Sequence, residues 1–318
     1  MWKRIIGYTV LGVLVLAGAA VGWLWLRKPA QRPAPAVRVS ATPAMVARGR
    51  EVWNLADCDG CHSAHDAKFV AVLDSGIGQG NRIRNKELGE IDVPNITPDQ
   101  QTGIGSWTDG EKMRAIREGV DKDGRALFPM MPYGVYRSMS DDDVTALVAY
   151  LDTLPPVHHE VPKMKPPFFI GLMIKSAPKP LDGPVPSPDM SNREARARYL
   201  TTVAGCEDCH TPMQRGTPEP GKRFAGGQQF EFNGEVVYSA NITPDAQTGI
   251  GSWTLPYFKQ QIRRYKNSWP EKFTVMPWHN FAQLSDEDLD SIYYFLNEQK
   301  PVRNQVNPFA GQQVAQAR

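Results

Sequence analysis

The sequence predicts an all-α protein in which two tandem domains follow an N-terminal transmembrane helix. Three observations carry this prediction: an uncharged apolar run near the N-terminus, a motif block that occurs twice, and amphipathic helical patterns at both ends of each copy. The chain has 318 residues, enough for two domains with cores of their own. No extended alternation of apolar and polar residues indicates a long strand.

The apolar run extends from Ile5 to Leu26, 22 residues without a charged side chain, and is long enough to span a bilayer. Trp23 and Trp25, near its end, are typical of residues at a membrane interface. A cleaved signal peptide is the alternative, but the apolar run continues past its candidate cleavage site. We therefore expect residues 1–28 to be an uncleaved anchor and the Pro- and Ala-rich residues 29–43 to be a stiff tether.

All four cysteines belong to two copies of the C-x-x-C-H motif, the attachment signature of c-type haem. The copies are Cys58, Cys61 and His62, and Cys206, Cys209 and His210. In such sites two thiols bind the haem vinyl groups, and the histidine is the proximal iron ligand. A zinc site or a redox-active cysteine pair is the alternative, but the same histidine follows both pairs. We predict two covalently attached haem c groups, with the N-terminus in the cytoplasm and the haem domains in the periplasm of a bacterial inner membrane.

A long polar block repeats at an offset of 146 residues. Residues 95–108 and 241–254 are identical at thirteen of fourteen positions, and an M-P-aromatic triplet and an acidic helix start follow both copies. The period is a whole domain, so this is a duplication rather than a solenoid. We expect a first cytochrome domain at 44–155, a Pro-rich linker at 156–190, a second domain at 191–300 and a disordered tail at 301–318.

Each domain is predicted to open with a short helix and to close with a stronger, serine-capped one. A small residue on the opening helix faces an aromatic residue on the closing helix, which allows the two to cross closely. This pair is Gly49 with Tyr150 in the first domain and Ala197 with Phe295 in the second. Within the linker, the apolar segment from Phe168 to Ile174 is too short to span a bilayer. We expect it to dock on a haem domain or on a partner protein rather than on lipid.

The second axial ligand of each iron is predicted to be a methionine. In the second copy only Met213 and Met276 follow the haem motif, and Met213 is three residues from His210, too close to reach the opposite face of the ring. The repeat pairs Met276 with Met131, and Met130 is the adjacent competitor. His/Met ligation raises the reduction potential and closes the iron, which favours electron transfer over catalysis.

The repeated polar block is rich in glycine and is predicted to be a loop. We expect Trp107 and Trp253 to lie against the haem edge and to donate their indole N–H groups to haem propionates. Asn95 and Asn241 are expected to donate likewise. The alternative for these four residues is a plain turn with core packing.

The net charge of +2 is an average over unlike segments. Residues 1–40 carry +6, residues 41–160 carry −7 and residues 161–318 carry +3. The two halves are therefore expected to face differently charged partners. No stretch is both strongly basic and interleaved with aromatic residues, which argues against a nucleic-acid-binding protein.

The order of the motifs C-x-x-C-H, N-I-T-P-D-x-x-T-G-I-G-x-W, M-P-Y and S-D-E-D-L resembles one known family. These are the multihaem cytochrome c subunits of membrane-bound alcohol, aldehyde and gluconate dehydrogenases, and the resemblance covers most of residues 45–300. It implies two class I cytochrome c domains and an electron carrier rather than an enzyme. Members pass electrons from a periplasmic dehydrogenase to quinone or an oxidase. They usually carry three haems, whereas this chain has two motifs and an N-terminal anchor.

The function predicted from these features is that of a membrane-anchored periplasmic diheme cytochrome c. It would move electrons between a dehydrogenase or quinol donor and a respiratory acceptor, such as an oxidase or a soluble cytochrome. A diheme subunit of a cbb3-type terminal oxidase is the first alternative, although the long repeated loop fits it less well. A diheme peroxidase is the second, and it needs an iron that opens, which two methionine ligands argue against.

Overall fold

The computed structural model describes residues 2–164, 166–214 and 216–315. After the N-terminal helix α1 (Trp2–Leu26), two halves repeat the same order of elements. The first half contains α2 (Pro43–Leu55), α3 (Cys58–His62), α4 (Asp109–Glu118), α5 (Tyr133–Tyr136) and α6 (Asp141–Leu151). The linker forms α7 (Phe168–Ile174). The second half contains α8 (Arg193–Val203), α9 (Cys206–His210), α10 (Leu255–Arg263), α11 (Trp278–Phe281), α12 (Asp286–Asn297) and α13 (Ala310–Ala315).

The fold is mostly helical, but the expectation of an all-α protein is incomplete because short antiparallel strand pairs are present. They are β1 (Asn81–Asn85) with β2 (Gly89–Val93), β3 (Met213–Gln214) with β4 (Thr217–Pro218), and β5 (Gln229–Phe232) with β6 (Glu235–Tyr238). In the first hairpin Ile83 pairs with Ile91, and both are buried together with Val93. Each of these short strands buries at most two side chains, so no extended alternating pattern marks them in the sequence.

Helices α2 and α6 cross at the close approach that the sequence indicates. A Cβ atom on Gly49 would overlap the carbonyl group of Ala146 and lie 2.7 Å from Cβ of Tyr150. The expectation of a small residue against an aromatic is therefore confirmed in the first half. Trp53 packs edge-on against the same Tyr150 ring, with centroids 5.7 Å apart. The serine cap is present too, because Ser140 accepts the backbone N–H of Asp143 at 3.1 Å.

The two halves share one continuous apolar core. It contains Val52 and Leu147 from the first half together with Leu200 and Leu289 from the second. The contacts between halves are reciprocal, since α5 packs on α8 and α11 packs on α2. Each half therefore covers part of the other's opening helix.

Polar contacts also join the halves, among them one set between helices and one between hairpins. Tyr199 of α8 accepts the backbone N–H of Ser140 at 3.1 Å and donates to the Asp143 carboxylate at 2.6 Å. At the hairpins, the Asn233 backbone N–H donates to the Arg84 carbonyl at 2.7 Å, and the Asn85 amide donates to the Glu231 carbonyl at 2.8 Å. The halves are thus bound along their helices and along their hairpins.

Helix α1 is long and apolar enough to cross a membrane, with a mean hydropathy of 2.2 over Arg4–Leu26 and none of that window buried in the protein. The segment after it lies on the first half. Arg32 forms an ion pair with the buried Glu118 at 2.9 Å, and the Val39 backbone N–H donates to Asp109 at 2.8 Å. The tether is therefore bound to both ends of α4.

The C-terminal segment differs from the expected disordered tail. Asn304 donates to the Ala225 carbonyl at 2.9 Å, the Tyr238 backbone N–H donates to the Pro308 carbonyl at 2.9 Å, and Gln312 donates to the Phe273 carbonyl at 3.0 Å. These bonds close the second half over its own hairpin. Residues 316–318 of the predicted tail lie outside the described residues.

Candidate haem attachment sites

Each C-x-x-C-H motif forms a short helix of its own, α3 in the first half and α9 in the second. The residue before each helix is in the left-handed region, Asp57 with φ 50° and Gly205 with φ 64°. This conformation turns the chain sharply where α2 and α8 end. Because residues three apart on a helix are neighbours on one face, the two thiols of each motif lie on one side of the helix.

The motif histidines are oriented by matched hydrogen bonds. Nδ1 of His62 lies 2.8 Å from the carbonyl oxygen of Pro94, and Nδ1 of His210 lies 2.7 Å from that of Ala240. A carbonyl only accepts, so Nδ1 carries the proton and Nε2 keeps its lone pair for a metal. Burial lowers the pKa of both histidines, which favours the neutral, ligating form.

Two glycines that sequence reasoning missed hold the chain next to these histidines. The backbone N–H of Gly80 donates to the His62 carbonyl at 2.7 Å, and that of Gly226 donates to the His210 carbonyl at 2.7 Å. Both have positive φ, 88° and 70°. A Cβ on Gly80 would lie 2.6 Å from the Val93 carbonyl oxygen, so only glycine fits. The available signal was that a glycine stands at both positions, 146 residues apart.

Asn95 and Asn241 are buried hubs of a loop network. The Asn95 amide nitrogen lies 3.1 Å from Thr102 Oγ1, 2.8 Å from the Val157 carbonyl and 3.3 Å from the His159 carbonyl. The two amide hydrogens are thereby engaged, which leaves no donor for a haem propionate. Asn241 makes the same contacts, to Thr248 and to the Val302 and Asn304 carbonyls. The structure thus gives both asparagines a role in fastening the closing segment of each half. Their donation to haem propionates stays a prediction, which these bonds disfavour.

Trp107 and Trp253 are half-buried and pack against the shared core. Among the hydrogen bonds of the described residues, none comes from either indole N–H. Trp253 is held through its backbone, since its carbonyl accepts the Tyr293 hydroxyl at 2.8 Å. Their donation to haem propionates stays a prediction.

Met131 and Met276 occupy equivalent positions before α5 and α11. Both are half-buried against the shared core, and both carbonyls accept the backbone N–H two residues later at 2.8 Å. Met130 packs instead against the separate hairpin cluster that contains Ile83 and Ile91. The matched placement favours Met131 over Met130, while ligation itself stays a prediction.

Comparison with known proteins identifies the family. The cytochrome c family profile matches residues 46–155. A diheme cytochrome c-type protein of Cereibacter sphaeroides is 30% identical over 293 residues, which are 90% of this chain and 95% of that protein. The chain belongs to the c-type cytochromes.

Two further relatives of this cytochrome belong to dehydrogenases. The fructose dehydrogenase cytochrome subunit of Gluconobacter japonicus is 31% identical, over 89% of this chain and 57% of the relative. The cytochrome c subunit of the alcohol dehydrogenase (quinone) of Gluconacetobacter polyoxogenes is 30% identical, over 82% of this chain and 57% of the relative. The chain thus spans little more than half the length of these two proteins. The relatives include cytochrome c subunits of dehydrogenases, so the chain is an electron-transfer protein rather than a catalytic enzyme.

The residues of each motif fit a covalently bound haem better than a thiolate site. Burial raises the pKa of the Cys61 and Cys206 thiols to about 12 and that of Cys209 to about 11, and it raises that of Cys58 as well. A raised thiol pKa keeps the sulfur protonated, which disfavours a redox-active thiolate. Within the described ranges no three Cys, His, Asp or Glu side chains come together as a metal-binding group.

The cytochrome's first motif is bound directly by the second half. Asn280 of α11 donates to the carboxyls of Asp57 at 2.7 Å and Asp59 at 2.6 Å. Burial, together with the neighbouring Asp59, raises the pKa of Asp57 well above its usual range, and burial raises that of Asp59 too. Burial and Asp208 raise the pKa of Cys209, and the charge of Asp57 adds to this across the interface. The first motif is thus part of the contact between the two halves.

Substitution of Asn95 and Asn241 distinguishes a role in stabilising the fold from a role in binding haem propionates. Asn95→Ala and Asn241→Ala each leave buried carbonyls and a threonine without their donor. We expect each change to lower the free energy of unfolding by about 2 kcal/mol, measured by chemical denaturation. The reduction potential of the haem should stay unchanged. The control Asn307→Ala, at an exposed side chain that accepts one bond from Phe309, should cost less. A shifted potential with unchanged stability would reinstate the propionate role.

The buried carboxyls predict a pH-dependent stability. The folded-state pKa of Asp57 is raised, so the folded protein binds a proton that the unfolded chain releases, and stability falls as pH rises above about 4. Asp57→Asn removes the charge and keeps an acceptor for Asn280. We expect the variant to unfold at a higher temperature at pH 7 and at the wild-type temperature in acid.

The matched contrast is Asp189→Asn, where bonds from Ser191 lower the pKa of the carboxyl. A lowered folded-state pKa contributes stability above about pH 4, so this variant should unfold at a lower temperature at pH 7. Thermal unfolding followed by circular dichroism measures both variants. Equal shifts of the same sign would contradict the assignment of the raised pKa to Asp57.

Proposed function

We propose that the cytochrome carries two haem c groups, one in each of two cytochrome domains at 44–155 and 191–300. The observation that carries this proposal is the matched pair of Nδ1–carbonyl bonds behind two C-x-x-C-H helices. The residues proposed to hold the first haem are Cys58, Cys61, His62 and Met131, and those for the second are Cys206, Cys209, His210 and Met276.

When bound, haem c supplies a one-electron redox centre. The chain's residues would do the rest. The carbonyls of Pro94 and Ala240 keep Nε2 of each histidine unprotonated and aimed in one direction. A methionine sulfur on the other side would close the iron to exogenous ligands, and the shared core would exclude water. Such a centre suits electron transfer and disfavours peroxidase chemistry.

Cys58 of the first motif and Cys206 of the second pack against the same apolar core, which supports passage of electrons between the two proposed haems. Asn280 also contacts the first motif helix from the second half. The shared core makes the spacing of the two sites rigid. We infer that electrons enter at one domain and leave from the other.

We infer that α1 is an uncleaved anchor, that the N-terminus lies in the cytoplasm and that both domains lie in the periplasm. The length and hydropathy of α1 support the anchor, and covalent haem attachment supports the periplasmic side. The proposed donor is a dehydrogenase, because the relatives include cytochrome c subunits of fructose, alcohol and gluconate dehydrogenases. The acceptor would be a respiratory protein or quinone.

The axial methionines are tested by substitution. Met131→Ala and Met276→Ala should each remove about half of the methionine–iron absorption of the oxidised protein, and each should lower one of two reduction potentials. Visible spectroscopy and a redox titration measure both effects. Met213→Ala, at an exposed position, is the control and should change neither. If Met130→Ala loses the absorption band and Met131→Ala keeps it, the ligand is Met130 and not Met131.

The function as a whole is tested by isolating the full chain from native membranes. We expect a dehydrogenase to copurify and its substrate to reduce both haems in the isolated complex. Copurification with copper- and haem-containing oxidase subunits, without a dehydrogenase, would favour the oxidase alternative. Peroxide turnover by the isolated protein would overturn the carrier function.

A further inference from the structure

The linker helix α7 joins the end of α1. The ring of Phe168 stacks on that of Trp25, with centroids 4.9 Å apart and 17° between the planes. Lys175 donates to the Trp25 carbonyl and lies 5.0 Å above the indole ring. Arg27 donates to Ser176 Oγ at 2.9 Å. The segment expected to dock on a haem domain or partner is therefore fastened where α1 would leave the bilayer.

One face of α7 is apolar and uncovered. Phe169 is 76% exposed and Met173 is 73% exposed, and they are four residues apart, so they lie on the same side of the helix. Outside α1, no other large apolar side chain among the described residues exceeds 45% exposure. A soluble surface rarely presents two such side chains together, which indicates that something apolar covers them.

We propose that α7 lies in the outer interface of the bilayer, with Phe169 and Met173 inserted at the boundary of the acyl chains. At seven residues and about 10 Å, the helix is too short to span and would lie in the plane of the membrane. Its apolar face continues the surface of α1 at Trp25. The basic residues Arg27, Lys28 and Lys175 stand at the same level, where they would meet anionic headgroups.

A lipid surface fits these contacts better than a partner protein does. The stacking of Phe168 on Trp25 places α7 beside a residue that already belongs to the interfacial end of the anchor. The tether is bound as well, because Arg32 pairs with Glu118 and also donates to the Leu181 carbonyl in the linker, both at 2.9 Å. Two membrane contacts and a bound tether would fix the height and tilt of the haem domains above the bilayer.

The test uses the full-length holoprotein in nanodiscs of phosphatidylcholine and phosphatidylglycerol. All four native cysteines belong to the haem motifs, so one added cysteine takes a nitroxide label. Phe169→Cys and Met173→Cys report on α7, and each keeps the other apolar side chain. Leu14→Cys in the middle of α1 is the lipid reference, and Tyr257→Cys on α10 is the water reference. Electron paramagnetic resonance of the reduced protein compares accessibility to oxygen with accessibility to a water-soluble nickel chelate.

We expect the oxygen-to-chelate ratio at 169 and 173 to be several-fold above that at 257 and below that at 14. Ratios equal to that at 257 would overturn the proposal. Labels closed to both reagents would show that a protein covers the face, which also overturns it. The proposal also rests on α1 as a membrane anchor. A ratio at 14 equal to that at 257 would show that α1 is not in the bilayer, which overturns the proposal. None of these readouts depends on electron transfer, so the placement of α7 and the proposed electron-transfer function are tested independently.

Discussion

The hydrogen bond from Nδ1 of each motif histidine to a backbone carbonyl is the constraint on which the rest of the structure depends. It sets the tautomer and the ring direction, and so it decides whether Nε2 is available as a ligand. The carbonyl must therefore be immobile. In the first half, Pro94 supplies it, and Asn95, the next residue, is buried and bound to the segment that follows α6. The backbone of the histidine is held as well, because the Gly80 N–H donates to the His62 carbonyl.

This chain of contacts explains why each half extends beyond its last long helix. The segment after α6 presents the Val157 carbonyl to Asn95, and the segment after α12 presents the Val302 carbonyl to Asn241. The two valines are 145 residues apart. Without these segments, two buried amides would lack acceptors, and the loop that carries the histidine's partner would lose its support. Residues 301–312 therefore help to support the second candidate haem site, and the start of the linker helps to support the first.

Sequence patterns predicted the parts of this site that depend on local spacing. The C-x-x-C-H motifs, the Ser140 cap and the crossing at Gly49 all follow from residues close together in the chain or from the repeat. The roles of Asn95 and Gly80 could not be predicted in this way. The two carbonyl acceptors of Asn95 lie more than sixty residues away, and the need for glycine at 80 comes from a positive φ beside the Val93 carbonyl. The hairpins were missed because strands of four or five residues bury too little to leave a pattern.

The two halves are alike in their haem motifs but not in what covers them. Asn280 binds the acidic pair of the first motif, whereas its counterpart in the repeat is Val135, which has no polar side chain to bind α9. The acidic residues of α9 stay exposed, with Glu207 held only by Arg223 at 2.7 Å. Buried Asp59 and exposed Glu207 occupy the same place in the two motifs. The duplication has thus made the acidic pair of one motif part of the interface between the halves and has left the acidic pair of the other motif exposed.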